Sequence, residues 1–144
     1  MKSSSFLPLL LCLALPGCAL LGITTKVKVA HELVSLDNGA HYREVLVGEG
    51  PAVTTGQTIT IDYVGFLADG SIFDSSIQRG VPIDLTLGMA PLAGWNTGIL
   101  GMRVGGQRNL CLPPELAYGE AGIEGLIPPN ETLVFEISLL SIAE

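Results

Sequence analysis

The stretch Gln57-Thr58-Ile59-Thr60-Ile61-Asp62-Tyr63-Val64-Gly65-Phe66 decides the fold. Ile59, Ile61 and Tyr63 fall on one face of an extended chain, and Thr58, Thr60 and Asp62 on the other. A period of two marks a strand with one buried face. Neighbours with the same pattern lie downstream. Ile83, Leu85 and Leu87 alternate with Asp84 and Thr86, and Pro82 sits at the strand start, where its missing N–H is tolerated. Leu110 and Leu112 share a face with Cys111 opposite, and Thr132 to Leu140 sets Leu133, Phe135, Ile137 and Leu139 in register. Upstream, His41 to Val47 predicts a further strand, and Val27, Val29, Leu33 and Ser35 hint at a peripheral one.

Only one segment has helical spacing. Leu92, Trp95, Ile99 and Met102 stand three, four and three residues apart, and Gly105-Gly106 ends the segment. Asp37-Asn38-Gly39 and Asp69-Gly70 have turn chemistry, and a long loop from Pro113 to Asn130 carries glycines and Pro128-Pro129. The pattern predicts an α+β domain, one antiparallel sheet wrapped around a single short helix. One sheet face covers the helix and the other meets solvent. No internal repeat or second domain is visible.

Composition narrows the function. Fourteen acidic against seven basic residues give a net charge of −7, without a local basic cluster, so nucleic acid is not an expected partner. No phosphate-binding glycine loop, dinucleotide fingerprint or nucleophile elbow occurs. His31 and His41 lack companions at metal-ligand spacing, so neither a metal nor a cofactor is expected. Polar groups interleaved with aromatics in a glycine-rich frame suit a peptide or ligand pocket.

The first residues stand outside the fold. Lys2 and the apolar run Phe6 to Leu15 have the layout of a signal peptide, too short for a transmembrane helix. Leu15-Pro16-Gly17-Cys18 follows and resembles the lipobox of bacterial lipoproteins, although Pro16 departs from the usual small residue. That resemblance implies a signal peptide over 1–17, a diacylglycerol on Cys18, and a tether and lead-in over 18–36. Ala19 does not match the aspartate of an inner-membrane retention signal. The expected location is the cell envelope, lipid-anchored, on the outer membrane facing the periplasm if the cell has two membranes. Cys111 has no intramolecular partner in a chain so cleaved, so no disulfide framework is expected.

The domain over 37–144 carries an ordered series: Tyr63-Val64-Gly65-Phe66, Asp69-Gly70, Phe73-Asp74-Ser75-Ser76, Leu87-Gly88, Gly94-Trp95 and Gly98. It continues through Met102, Val104-Gly105, Ala117-Tyr118-Gly119, Ile127-Pro128-Pro129-Asn130 and Thr132 to Ile137. The series resembles the FKBP-type peptidyl-prolyl cis/trans isomerase domain across nearly all of this region. The resemblance implies a five-stranded antiparallel sheet curled around the helix that carries Trp95. It implies an active site lined by Tyr63, Phe73, Asp74, Trp95, Tyr118 and Phe135, with Ile83, Leu92 and Ile127 contributing to substrate binding. Trp95 would lie under the proline ring, while the Leu92 amide and the Tyr118 hydroxyl would each meet a substrate carbonyl. Implied partners are proline-containing polypeptides and rapamycin-type macrolides, bound by a monomer.

Read alone, Trp95, Phe73 and Phe135 are equally ordinary core aromatics, Asp74 a turn or cap residue, and Tyr118 a loop aromatic. Three departures from the family pattern stand out. Residues 88–94 are one residue short, Ile83 stands where an aromatic is common, and Ile123 replaces a frequent histidine. The loop between Pro113 and Ile127 has no room for an inserted chaperone domain. The competing expectations are a peptide-binding module of the same fold without turnover, and a structural envelope lipoprotein.

Overall fold

The computed structural model describes residues 32–144; the expected signal peptide, Cys18, and most of the tether lie outside them. The strands are β1 (Leu33–Ser35), β2 (His41–Leu46), β3 (Thr58–Phe66), β4 (Ile72–Ser75), β5 (Ile83–Thr86), β6 (Gln107–Leu112) and β7 (Leu133–Ile142). They form one sheet in the order β1-β2-β6-β7-β3-β4, with β5 also paired to β3. Every pairing is antiparallel.

The alternation in the sequence becomes burial. Ile59, Ile61 and Tyr63 of β3, Leu110 and Leu112 of β6, and Leu133, Phe135, Ile137 and Leu139 of β7 are buried on one face. Cys111 turns the other way and is half-buried. Burying each of the larger aliphatic side chains contributes about 1.5–3 kcal/mol, so this shared face is the main source of stability.

The sheet has seven strands, not the expected five. The short β4 has no clean alternation to announce it, because Ile72 is exposed while Phe73 and Asp74 are both half-buried. Nor is there a single helix. A four-residue α1 (Ser76–Arg79) precedes β5, α2 (Ala93–Gly98) follows it, and a 3-10 turn covers Pro114–Leu116.

Of the four residues at helical spacing, only Trp95 lies inside α2. Leu92 caps its start, Ile99 caps its end, and Met102 follows the next turn, yet all four are buried. Two glycines set the depth of α2. A Cβ on Gly94 would stand 2.4 Å from Cδ2 of Leu112, and one on Gly98 2.4 Å from Cδ2 of Leu110. Their bare backbones let the helix lie directly on β6 and bring Trp95 to the sheet. The same glycines, poor helix formers, keep α2 short.

The edge beside β3 is split, and the split creates a site. β4 pairs with Val64, Gly65 and Phe66, whereas β5 pairs with Thr58 through Ile61. Between these two pairings the chain leaves the sheet as α1. Ser76 fills the gap with its side chain: Oγ accepts the Tyr63 N–H at 2.9 Å and donates to Oδ1 of Asp62 at 2.7 Å. A strand N–H that would otherwise be orphaned is satisfied, and Tyr63 is held where the edge opens.

Candidate active site

Four aromatic rings meet at that opening. The Tyr63 and Trp95 rings are 5.2 Å apart and edge-on, as are Trp95 and Phe135 at 5.2 Å. Phe73 stands edge-on to Phe135 at 5.7 Å, and Tyr63 is tilted against Phe135 at 6.3 Å. Edge-to-face contacts at such distances align ring edges with ring faces of opposite partial charge and hold the side chains in place. Phe73 reaches the cluster because residue 65 is glycine: a Cβ there would lie 2.6 Å from Cζ of Phe73.

Trp95 and Phe135 are buried, while Phe73 is half-buried at the margin. The Trp95 Nε1–H is the one buried side-chain polar atom without a hydrogen-bond partner among the described residues. Leaving such a donor unpaired costs about 1–3 kcal/mol, which the packing of the indole must offset.

A polar group caps one side of the rings. The Tyr63 hydroxyl donates to Oδ2 of Asp74 and accepts from Nη2 of Arg79 at 3.1 Å. Oδ1 of Asp74 accepts from Nη1 of Arg79 and from the Ser75 N–H, the latter at 2.9 Å. The Arg79 guanidinium stands 5.7 Å from the centre of the Tyr63 ring. Burial pushes the Tyr63 phenol above its usual pKa; the Asp74 hydrogen bond adds to this and Arg79 opposes it. Hydrogen bonds to Tyr63, then to Asp74, raise that of Arg79 further.

Arg79 is absent from the residues expected to form the site. Its signal was the spacing: Ser75 caps the start of α1 by accepting the Gln78 N–H at 3.2 Å, and Gly80 ends the helix in the left-handed conformation. One helical turn returns Arg79 to Asp74, five residues earlier. Asp74 itself is a strand residue; the capping role belongs to Ser75.

The remaining expected residues divide between the core and the surface. Leu92 and Ile127 are buried in the same core cluster as Trp95, Tyr63 and Phe135, and Ile83 packs against it from β5, opposite Ile61. The Leu92 amide donates to no protein group among the described residues. Tyr118 stands apart from the core cluster and is partly exposed, at 36%. Burial raises its phenol pKa first, and the Asp74 charge raises it further. Tyr63 has committed its one proton to Asp74. The Tyr118 hydroxyl, the Leu92 amide and the Trp95 Nε1–H are donors without a protein acceptor among the described residues.

Comparison with known proteins places this arrangement. A family model for the FKBP-type peptidyl-prolyl cis-trans isomerase matches residues 50–140. An FK506-binding protein from Neisseria meningitidis serogroup C is 45% identical over 96 residues, covering 66% of this chain and 88% of that protein. FK506-binding protein 4 from Dictyostelium discoideum is 37% identical over 123 residues, covering 85% of this chain but only 33% of its own length. The crystal structure of FkpA from Escherichia coli superposes with a TM-score of 0.71 at 41% identity, over 76% of this chain and 51% of that one. The chain thus spans a third of the Dictyostelium relative and about half of the E. coli chain.

Proposed function

The chain belongs to the FKBP-type peptidyl-prolyl cis-trans isomerases, and on that premise we propose that it rotates X–Pro peptide bonds in the aromatic site without covalent chemistry. The observation that carries this is the junction of the Tyr63, Phe73, Trp95 and Phe135 rings beside the Asp74–Arg79 pair.

The barrier to rotation, about 18–20 kcal/mol, comes from the partial double bond of the planar amide. Planarity maintains charge separation between nitrogen and oxygen, which water stabilises. An apolar floor removes that water and favours the twisted amide, in which the separation has collapsed. Stabilising the twisted form over the planar one is catalysis. The proline ring lies on Trp95, the Tyr118 hydroxyl donates to one flanking carbonyl, and the Leu92 amide donates to another. Asp74 and Arg79 hold Tyr63 as part of the wall. Ile83 and Ile127 complete the apolar boundary.

Two finer assignments belong to the same reading. The chain is a lipoprotein anchored through Cys18 in the cell envelope, and it acts there as a monomer on exported polypeptides during folding. Uncatalysed X–Pro isomerisation takes tens to hundreds of seconds, slow enough to limit the folding of such clients. Macrolides of the rapamycin type fit the same floor. The deciding experiment is a protease-coupled or refolding assay of the purified chain. A clear acceleration of cis-to-trans conversion is expected. The uncatalysed rate from a protein shown folded by circular dichroism would leave only the binding-module reading.

A further inference from the structure

Residues 87–92 lead from β5 into α2, and their backbone donors are paired with one exception. The Leu87 N–H donates to the Gln57 carbonyl at 2.9 Å and the Met89 N–H to the Thr86 carbonyl at 3.0 Å. Those of Gly88 and Ala90 both donate to Oδ1 of Asn96, at 2.8 and 2.9 Å. Pro91 has no N–H to place. The Leu92 amide alone is left without a protein acceptor among the described residues, and it is the donor assigned to a substrate carbonyl.

Asn96 follows Trp95 on α2, and its half-buried side chain reaches back to the loop that precedes the helix. Both of its partners are N–H donors, so only the carbonyl oxygen of its amide can serve them. α2 is a firm mount for this clamp. Oγ1 of Thr97 accepts from Nδ2 of Asn38 at 2.8 Å, and the Gly98 carbonyl accepts from Nη1 of Arg108 at 2.7 Å. On the far side of the free amide, the Leu92 carbonyl accepts the Trp95 N–H at 3.0 Å. Leu92 thus stands between two points fixed to the helix that carries the aromatic floor, with Ala90 packed against the core.

We propose that Asn96 is a positioning residue for the reaction: by holding Gly88 and Ala90 it sets residues 88–92 so that the Leu92 N–H stays unpaired and in place for a substrate carbonyl. The proposal rests on the isomerase reading above. Without the Asn96 oxygen, two N–H groups turn to water or to other carbonyls, and the run Ala90-Pro91-Leu92 samples further conformations. A donor that wanders has to be ordered at each binding event, which weakens binding. A donor already in place avoids that loss. The carbonyl it meets flanks the rotating bond and is present alike in the planar and twisted forms, so the loss falls on KM before kcat. The Asn96 amide also has no charge to titrate, so the clamp holds at any pH at which the chain is folded.

The test uses the full chain, Asn96→Ala, Asn96→Asp, and a chain in which an ester oxygen replaces the Leu92 N–H and nothing else. A blocked proline tetrapeptide reports turnover, amide hydrogen exchange reports Gly88 and Ala90, and circular dichroism shows that each chain is folded. Asn96→Ala is expected to speed exchange at Gly88 and Ala90 about tenfold. It should raise KM about two- to tenfold and leave kcat within about twofold. Asn96→Asp keeps the oxygen acceptor and should restore both readings. In the ester chain Asn96→Ala should add little, because the donor it positions is already gone. An equal further rise in KM there would make Asn96 a part of the frame alone and overturn the proposal. So would an unchanged KM in Asn96→Ala. A folded original chain that turns over no tetrapeptide overturns the isomerase reading and the positioning role with it, whereas an active chain indifferent to Asn96→Ala loses the positioning role only.

Discussion

Arg79 donates to the hydroxyl of Tyr63 at 3.1 Å while its guanidinium lies 5.7 Å from the centre of the same ring. With Asp74 accepting the Tyr63 proton, the phenol is held from both sides and cannot turn toward a ligand. The Tyr63 hydroxyl is thus committed to Asp74 and Arg79, whereas that of Tyr118 has no partner among the described residues.

That division sets the ranking of two substitutions. Asp74→Ala removes a charged partner that holds both Tyr63 and Arg79. Hydrogen bonds to charged groups are worth about 1.5–3 kcal/mol, and the 36% exposure of the Asp74 side chain puts this one at the lower end. Since about 1.36 kcal/mol is tenfold in rate, kcat/KM should fall roughly tenfold. Tyr118→Phe removes one neutral hydroxyl and should cost about two- to tenfold. Neither loss abolishes activity, because no group on this site forms a bond to substrate. A thousandfold loss from either change, in a folded protein, would contradict the non-covalent mechanism.

The phenols predict the pH profile. Burial raises Tyr63 and Tyr118, and Asp74 adds to both shifts, so each remains a neutral donor well beyond pH 9. A rate that depends on position and not on proton transfer should be flat from about pH 6 to 9. Stability responds in one direction. A folded-state pKa above the unfolded value, about 10, means Tyr63 contributes fully below that pH and loses its contribution as pH rises through the folded value. The urea midpoint should fall above about pH 10, and Tyr63→Phe should flatten that fall. An alkaline slope unchanged by Tyr63→Phe would place its origin elsewhere.

Much of this was legible in the chain, for a physical reason. β3, β6 and β7 have one buried face each, and period-two burial writes itself into residue order. The cluster of Tyr63, Trp95 and Phe135 follows from strands and helix sharing that face. Position by position, however, their gathering came from family resemblance; alternation alone left them as core aromatics. β4 escaped because its four residues mix exposed and half-buried positions. α2 was read too long because Ile99 and Met102 are buried by the turn after the helix and not by the helix itself. Arg79 escaped because α1 has only four residues, too few for apolar periodicity to announce the turn that returns it to Asp74.

Trp95 gives a direct reading of ligand entry. It is the only tryptophan in the chain and is almost wholly buried, so its emission reports the floor of the site. A rapamycin-type macrolide should quench or shift that emission with a saturable dose response and a matching heat of binding. Phe135→Ala, which removes an edge-on partner 5.2 Å away, should weaken the response. Unchanged emission at saturating macrolide, with no heat, would mean that the floor is closed to rings of that size.

The proposed lipid anchor has its own test in the cell. Cys18 follows an apolar run and a small residue, and its thiol is the only acceptor at the lipobox position. Cys18→Ser should stop incorporation of labelled fatty acid and move the protein from the membrane fraction, or leave its signal segment uncleaved. Several acyl chains at about 0.8 kcal/mol per buried CH₂ anchor stably, so the fractionation change should be nearly complete. Label still incorporated by Cys18→Ser would remove the lipoprotein assignment and leave the isomerase domain untouched.

Arg108 carries a prediction about the frame and not the site. Only 2% exposed, it lies with its guanidinium 4.0 Å from the centre of the Tyr42 ring. Nε donates to Oε1 of Glu44 at 3.0 Å and Nη2 donates to the same oxygen. Nη1 donates to the carbonyls of Gly98 at 2.7 Å and Leu100 at 3.1 Å. The side chain thus ties the end of α2, and with it Trp95, to β2 and β6. Arg108→Met keeps the length but leaves Glu44 and two carbonyls without donors. Breaking a buried pair costs about 3–5 kcal/mol, and the 21% exposure of the Glu44 side chain sets this case near the lower figure. Arg108→Lys should recover little, since one ammonium cannot reach the carboxylate and both carbonyls from a single fork. Pairing Arg108→Met with Glu44→Gln should cost less than the two changes summed, because no buried charge is then stranded. A urea midpoint that Arg108→Met leaves unmoved would show that water replaces the guanidinium, and that α2 is held by Leu110 and Leu112 alone.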